Sequence, residues 1–390
     1  MTSAAVRTDR PVITAWSAVS AFGLGRAAHR AGLATGAPAA PVDQAVDQEP
    51  AGTAPAGEPG DRLVPGFEVR KVLGKAGTRT MDRSTGLAAT AVRELLAEAE
   101  ADRAPVPAGA GTALVLGTTV GGVQGQHDFI QASFEGEKPY DVPAQFMPSV
   151  LMNCAAAASA IRYGFRGPNT TLAGGRPAGL LALGYARRLL AAGRAERALV
   201  GAVEEYSPTR AAYERHLRGP QEQPVPLGEG CAVLLMEPAD AIGAGRTPLA
   251  ELLALDSRAD VDDDQAGTLA ACVEAALTDS GSTPGDVWAA VPGGLGGPAG
   301  AAEQALLTRL FGAPAVHRVP VHQLLGDTSG ASGAFQLTAT LAAAEAAGTA
   351  PGTGDEPEEG TAAGRTAVLT SVDRDGTVAC AVLRLLGEAR

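Results

Sequence analysis

The chain has 390 residues, 45% of them hydrophobic, enough to bury one large core or two to three smaller ones, which excludes fibrous and wholly disordered architectures. Its 31 basic and 43 acidic side chains leave a formal charge of −12, which repels phosphate backbones and anionic lipid surfaces and argues against nucleic-acid and membrane partners. No apolar run approaches the roughly 18 residues of a spanning helix, and no apolar stretch follows the arginines near the start, so the expected location is the cytoplasm.

Two stretches, Gly36 to Asp61 and Gly348 to Gly364, are rich in Pro, Gly and acids with almost no large apolar side chains. They cannot offset the entropy of ordering and are expected to be mobile surface loops. Elsewhere the pattern predicts a strand over Val12 to Phe22, then a helix over Thr85 to Ala99, where Leu87, Val92, Leu95 and Leu96 recur at helical spacing. A buried strand, Thr112 to Thr119, leads through Gly121-Gly122 into a further helix. Strand Thr170 to Ala173, helix Ala178 to Ala192 and strands Arg197 to Val203 and Cys231 to Glu237 follow. From Thr247 the order recurs: strand Leu249 to Leu255, helix Ala266 to Asp279, strand Val287 to Val291, a Gly-rich turn and helix Ala301 to Phe311. Strand His317 to Val321, helix Gly330 to Ala347 and strands Thr366 to Val372 and Val378 to Leu386 complete it. Residues 1–245 and 246–390 thus read as two βαβαβαββ halves. Short apolar strands alternating with helices predict mostly parallel, fully covered sheets, and two stacked halves give five αβαβα layers.

The four cysteines, Cys154, Cys231, Cys272 and Cys380, show no CxxC or Cys/His pairing. Neither a disulfide framework nor a zinc site follows, and they are expected to be buried small hydrophobes. Gly294, Gly296 and Ala299 match GxGxxA, but the acid expected about 20 residues on is missing, so a tight strand-to-helix turn is favoured over a dinucleotide site. His322, Asp327, Ser329 and Ser332 are the one grouping that resembles a hydrolytic triad. Without a G-x-S-x-G elbow, a loop and helix start with Ser329 as cap is favoured. His29, His127 and His216 have polar or charged neighbours and are expected at the surface. No metal and no cofactor is implied. The segment GPNTTLAGGRPAGLLALGYARRLL, Gly167 to Leu190, reads as a strand, a sharp turn and a helix, where free N–H groups would activate a cysteine nucleophile. The chain has Arg176 there.

Several segments together resemble the β-ketoacyl synthases of the thiolase superfamily. They are VITAWSAVSAFGLG from Val12, LVLGTTVGGV from Leu114, AIRYGFRGPNTT from Ala160, PLGEGCAVLLMEPADAIGAGRTPLAELLAL from Pro226, and the turn before AAEQALLTRLFG at Ala301. The resemblance implies the thiolase fold, but the catalytic set does not carry over. The family's nucleophilic cysteine lies in a T-A-C-[AS]-[SA]-G turn, and counting from Gly167-Pro168 that position is Arg176. The first catalytic histidine, in A-H-G-T-G-T, falls at Pro292. The second, after K-S-x-x-G, falls at Asp327, with the lysine at His322. The oxyanion-binding G-F-G-G loop is replaced by VDRDGT, Val372 to Thr377.

Arginine is no nucleophile, proline does not titrate, and a carboxylate at 327 would repel an enolate. The sequence is similar to the chain length factors, nucleophile-free relatives that pair with an active ketosynthase in type II polyketide systems and help shape its tunnel, although those of aromatic systems commonly carry glutamine where this chain has Arg176. The implied partners are therefore a catalytic ketosynthase and, through it, an acyl carrier protein bearing the growing chain. Pairing is expected through the strand at Thr170 to Ala173. The tunnel is expected along the helix after Gly121-Gly122, where Val123, Gln126 and Ile130 share one face at i, i+3 and i+7. Arg176 is expected to close the vestigial pocket, by a salt bridge to a carboxylate such as Asp327 or by bonds to turn carbonyls. The alternative is an acyl-transfer enzyme of the same fold that uses residues such as His322 and Asp327.

Overall fold

Strands such as TALVLGT, Thr112–Thr118, and GCAVLLMEP, Gly230–Pro238, are buried along their whole length. They have no solvent face, so both sides of the sheet must be covered. The computed structural model describes residues 10–37, 39, 60–220, 222–348 and 362–387. Most of the two Pro/Gly-rich stretches, 36–61 and 348–364, lies outside the described residues.

In chain order the first half comprises β1 (Pro11–Ser20), β2 (Gly23–Leu24), α1 (Gly25–Ala34), α2 (Val69–Leu73), α3 (Arg83–Ala101), β3 (Thr112–Thr118) and α4 (Val123–Glu135), then α5 (Cys154–Tyr163), β4 (Asn169–Ala173), α6 (Ala178–Ala191), β5 (Arg197–Glu204), α7 (Pro208–Leu217) and β6 (Gly230–Pro238). A 3-10 turn at Ala144–Val150 precedes α5. The second half comprises β7 (Ala250–Ala259), α8 (Gln265–Ser280), β8 (Val287–Val291), α9 (Gly297–Phe311), α10 (Ala313–His317), α11 (Val321–Leu325), α12 (Ser332–Gly348), β9 (Thr366–Val372) and β10 (Thr377–Leu385).

The strand order is β4-β3-β5-β6-β1-β7-β10-β9-β8, with β2 on β1. The halves join where Val12 and Ile13 pair with Glu251 and Ala250. Helices α6 and α12 pack on each other and against strands of both halves. Side chains alternate accordingly: on β3, Ala113 and Val115 face this central layer, whereas Leu114 and Leu116 join Leu87, Val92 and Leu95 of α3. On β10, Ala379, Ala381 and Leu383 face the centre while Val378, Cys380 and Val382 pack under α8 and α9. The result is five αβαβα layers.

Three sequence expectations are corrected. The sheets are mixed: β3 pairs in parallel with β4 and β5, and β8 with β9, but the β5–β6, β6–β1, β1–β7, β7–β10 and β10–β9 pairs are antiparallel. The chain connects β9 to β10 directly through Asp373 to Gly376, and strands joined by a tight turn run antiparallel. The segment His317 to Val321 forms no strand, because α10 ends at His317 and α11 begins at Val321; Pro320, without an N–H, is a poor strand member. His29 is wholly buried, its Nδ1 2.9 Å from Ser20 Oγ and its ring stacked on Phe335. It shares the inward face of α1 with Gly25, one turn earlier, while its charged neighbour Arg30 is exposed. His127 and His216 are exposed, as expected. Cys231, Cys272 and Cys380 are buried and Cys154 is half-buried, all four as free thiols.

Candidate functional site

β4 ends at Ala173, and Gly174 to Pro177 turn the chain into α6. Gly175 must be glycine twice over: its φ is +60°, and a Cβ there would lie 2.0 Å from Asp373 Oδ2. The turn leaves Arg176 only 2% exposed. Its Nη1 lies 2.8 Å from the Asp327 carboxylate, itself buried. Of the two expected partners for Arg176, the structure shows the ion pair.

Asp327 is held from several directions. Ser329 N–H donates to its Oδ1 at 2.8 Å, its own N–H donates to Pro226 O at 2.8 Å, and Arg210 Nη2 donates to its carbonyl at 2.8 Å. Burial alone would raise its pKa, but the charge and hydrogen bond of Arg176 prevail and hold the carboxyl down at about 2. Asp327 is therefore an ionised structural partner near neutral pH.

The backbone N–H of Arg176 donates to Asp373 Oδ2 at 2.6 Å. Asp373 starts the loop that stands where the resemblance expects G-F-G-G. The next residue, Arg374, reaches Glu222 at 2.8 Å and Glu214 at 3.1 Å, tying that loop to the segment around α7. A carboxylate thus occupies the free N–H of the turn that leads into α6.

Pro292 is buried directly after β8. Beside it Gly293 N–H and Thr370 Oγ1 donate to Oε1 of the buried Glu303, at 3.1 and 2.6 Å. His322 packs against Gly294, where a Cβ would lie 2.5 Å from its own Cβ, so the GxGxxA turn is filled by a side chain. Burial first, and Arg176 second, lower the His322 pKa, which leaves the ring neutral. The cavity beside it, lined by Gly293, His322, Gly326, Ser332 and Gln336, measures about 10 Å³, room for a single water. Ser329 Oγ points to Glu214 Oε1 and Ser332 Oγ to Arg176 O, each at 3.5 Å. The grouping of His322, Asp327, Ser329 and Ser332 is therefore not wired as a Ser-His-Asp relay.

On α4, Val123 and Gln126 are half-buried and Ile130 is exposed. Gln126 Nε2 donates to Val120 O at 2.7 Å, which satisfies the polar side chain within the protomer. Exposed apolar residues gather nearby: Phe134 on α4 (85%), Met147 in the 3-10 turn, Leu151 and Met152 after it, and Ile161 on α5 (83%). α4 packs on the turn, and α5 on both the turn and the edge strand β4.

Sequence reasoning missed the closing role of Asp373 and the buried acids Glu303, Glu204 and Glu205. The adjacent pair in VGAVEEYS was a readable signal, since carboxyls that continue a buried strand must find donors. Among the described residues no three His, Cys, Asp or Glu side chains converge to hold a metal ion, and no single helix is long and apolar enough to cross a membrane.

The β-ketoacyl synthase N-terminal domain family matches residues 67–241, which contain β3, α4, β4 and Arg176. The ishigamide ketosynthase/chain length factor superposes with a TM-score of 0.85 at 44% identity, covering 97% of this chain and 99% of that one. The chain belongs to the β-ketoacyl synthase family. A 3-oxoacyl-(acyl-carrier-protein) synthase 2 of Vibrio cholerae is 27% identical over 312 residues, 72% of this chain and 73% of that protein. A ketosynthase solved with its type II PKS acyl-carrier protein shares the fold, with a TM-score of 0.74 at 18% identity over 97% of this chain and 99% of that one. This β-ketoacyl synthase is thus similar to a ketosynthase/chain length factor along nearly its whole length.

Proposed function

We propose that this chain is a non-catalytic ketosynthase-like subunit, a chain length factor, that pairs with a catalytic ketosynthase and shapes the tunnel in which a polyketide grows on its acyl carrier protein. The observation that carries the reading is the state of the nucleophile turn. At the position that the resemblance gives to the thiol stands a guanidinium, ion-paired with Asp327, which the resemblance sets at the second histidine, and a carboxylate holds the turn's free N–H. Acyl transfer requires a nucleophile, a proton-transfer group and donors for an oxyanion. Arg176, Pro292 and the Asp373-blocked N–H supply none of these.

Nothing favours the alternative in which His322 and Asp327 act on an acyl group. Asp327 is committed to Arg176, and the space beside His322 holds no more than a water. A partner is supported by the exposed Phe134, Met147, Leu151, Met152 and Ile161 beside the free edge of β4. A cluster of this kind marks a surface that is covered in the working assembly. The 44% identical relative is a ketosynthase/chain length factor, in line with that assignment.

The test is whole-protein mass spectrometry after incubation of the co-expressed pair with an acylated carrier protein. The acyl mass should appear on the ketosynthase and not on this chain, and this chain expressed alone should be aggregated or unstable. An acyl adduct on this chain, or a stable monomer indifferent to any ketosynthase, contradicts the proposal.

A further inference from the structure

Helix α4 spans 13 residues and buries none of them in its own protomer. Its packing on the 3-10 turn and α7 is shallow, with residues such as Val123 and Phe129 only half-buried, and the ties that hold its start are polar. Gln124 Oε1 accepts from Thr209 N and Oγ1 at 3.2 and 2.9 Å, linking α4 to α7. The N–H of Gln124, in the first turn of α4, donates to Glu205 Oε1 at 3.2 Å. The other oxygen of the same carboxyl accepts the N–H of Ser84, in the first turn of α3, at 3.3 Å. One buried carboxyl thus joins the starts of two helices, each of which has unsatisfied N–H groups there.

The two helices differ in how firmly they are seated. α3 is locked in the core through Leu87, Ala88, Ala91, Val92 and Leu95, whereas α4 has no fully buried residue and relies more on its polar ties. Glu205 can therefore transmit the fixed position of α3 to α4. A second acid crowds the same spot: Asp82, which caps α3 through Thr85 N at 2.8 Å, would have its Oδ2 2.1 Å from a Cβ at residue 122, so a side chain at the start of α4 would push this cap aside. Burial, and then Asp82, push the Glu205 carboxyl up to about 8, so the clamp is an uncharged acid near neutral pH. The surrounding charges are committed elsewhere. Glu204 accepts from Thr119 and Gly330, Arg83 pairs with Glu229, and Arg210 donates to the carbonyl of Glu205.

We propose that Glu205 is a positioning residue for product length: by clamping α4 to α3 it fixes the helix that carries Val123, Gln126 and Ile130. This rests on the tunnel-shaping reading above. The test uses the co-expressed pair with Glu205→Ala, Glu205→Asp and Glu205→Gln, following pairing by size-exclusion chromatography, amide exchange of α3 and α4 by mass spectrometry, and the product distribution. Glu205→Asp is one methylene too short to reach both helices and guards against misfolding of the alanine variant. Both should speed exchange in the first turn of α4 about tenfold, leave α3 beyond Leu87 protected, and shift product length while pairing persists. Glu205→Gln keeps the side-chain length but offers one acceptor oxygen and an NH2 that cannot accept an N–H, so it should release one of the two helix starts and leave the other protected, a one-sided loss that general destabilisation would not show. Unchanged exchange in α4 overturns the clamp. Faster exchange with unchanged product length overturns its role in length control and leaves the subunit assignment standing. A chain that never pairs with a ketosynthase defeats the underlying reading, and the chromatography shows this in the wild type.

Discussion

Replacing Arg176 with alanine removes one member of a buried ion pair and leaves Asp327 without its closest cation. Breaking such a pair from one side costs about 3–5 kcal/mol, because the remaining charge stays desolvated. Here the lower end, about 3 kcal/mol, is expected, since Asp327 keeps the Ser329 N–H and the field of Arg210. The penalty also has a pH signature. In the wild type Asp327 titrates near 2, below the ordinary 3.8. As pH falls the unfolded chain takes up this proton first, so the stabilisation is complete above about 3.8 and is lost only as pH drops towards 2. Without Arg176, burial dominates and raises the carboxyl, so the variant neutralises Asp327 in mild acid and recovers part of its stability. Urea titrations of the co-expressed pair at pH 7.5 and 5 should therefore show a Cm deficit for Arg176→Ala that shrinks on acidification. The double change Arg176→Met with Asp327→Leu should cost far less than the single one, because a buried pair replaced by apolar residues of similar volume is often close to neutral. A deficit under about 0.5 kcal/mol at pH 7.5, the ordinary scale of surface changes, would refute the reasoning, as would one that grows in acid.

His29 should impose acid sensitivity well above the carboxylate range. Burial lowers its pKa from 6.5 to about 3, so the unfolded chain protonates first and stability is lost as pH falls below 6.5, by about 1.4 kcal/mol between pH 7.5 and 5.5 from this group. Glu205, raised to about 8, works in the opposite direction, because the folded state holds its proton. The group is therefore isolated by comparing wild type with His29→Leu in urea at both pH values, and an identical pH slope in the two proteins would contradict the buried neutral ring. Val123→Phe adds a ring to the half-buried first residue of α4. The partnered enzyme should then make products shorter by one or more extension units at an unaltered rate of first condensation, as read by chromatography of the released chains. An unchanged distribution with both Val123→Phe and Gln126→Phe removes α4 from length control.

The two-half layered architecture was legible because apolar strands at regular intervals between amphipathic helices satisfy few other arrangements. That residue 176 performs no thiol chemistry and residue 292 no imidazole chemistry was legible, because neither an arginine nor a proline can do so in any conformation. Side-chain chemistry and local periodicity were enough for these. The antiparallel pairings were not legible, since strand direction is set by which neighbours meet in the sheet. Nor was the fate of His317 to Val321, where alternating apolar residues suit a strand and Pro320 denies it a donor. His29 looked exposed from its charged neighbours, yet one turn of helix carries it into the core beside Phe335. The turn at Arg176 shows the division most clearly. Arginine at 176 by itself determined that no thioester forms there. That Arg176 is neutralised by a residue 151 positions away, and its N–H capped by one 197 positions away, was decided only when the two halves packed together. Burying a charge demands a partner, but only tertiary structure selects which of the chain's carboxylates reaches it.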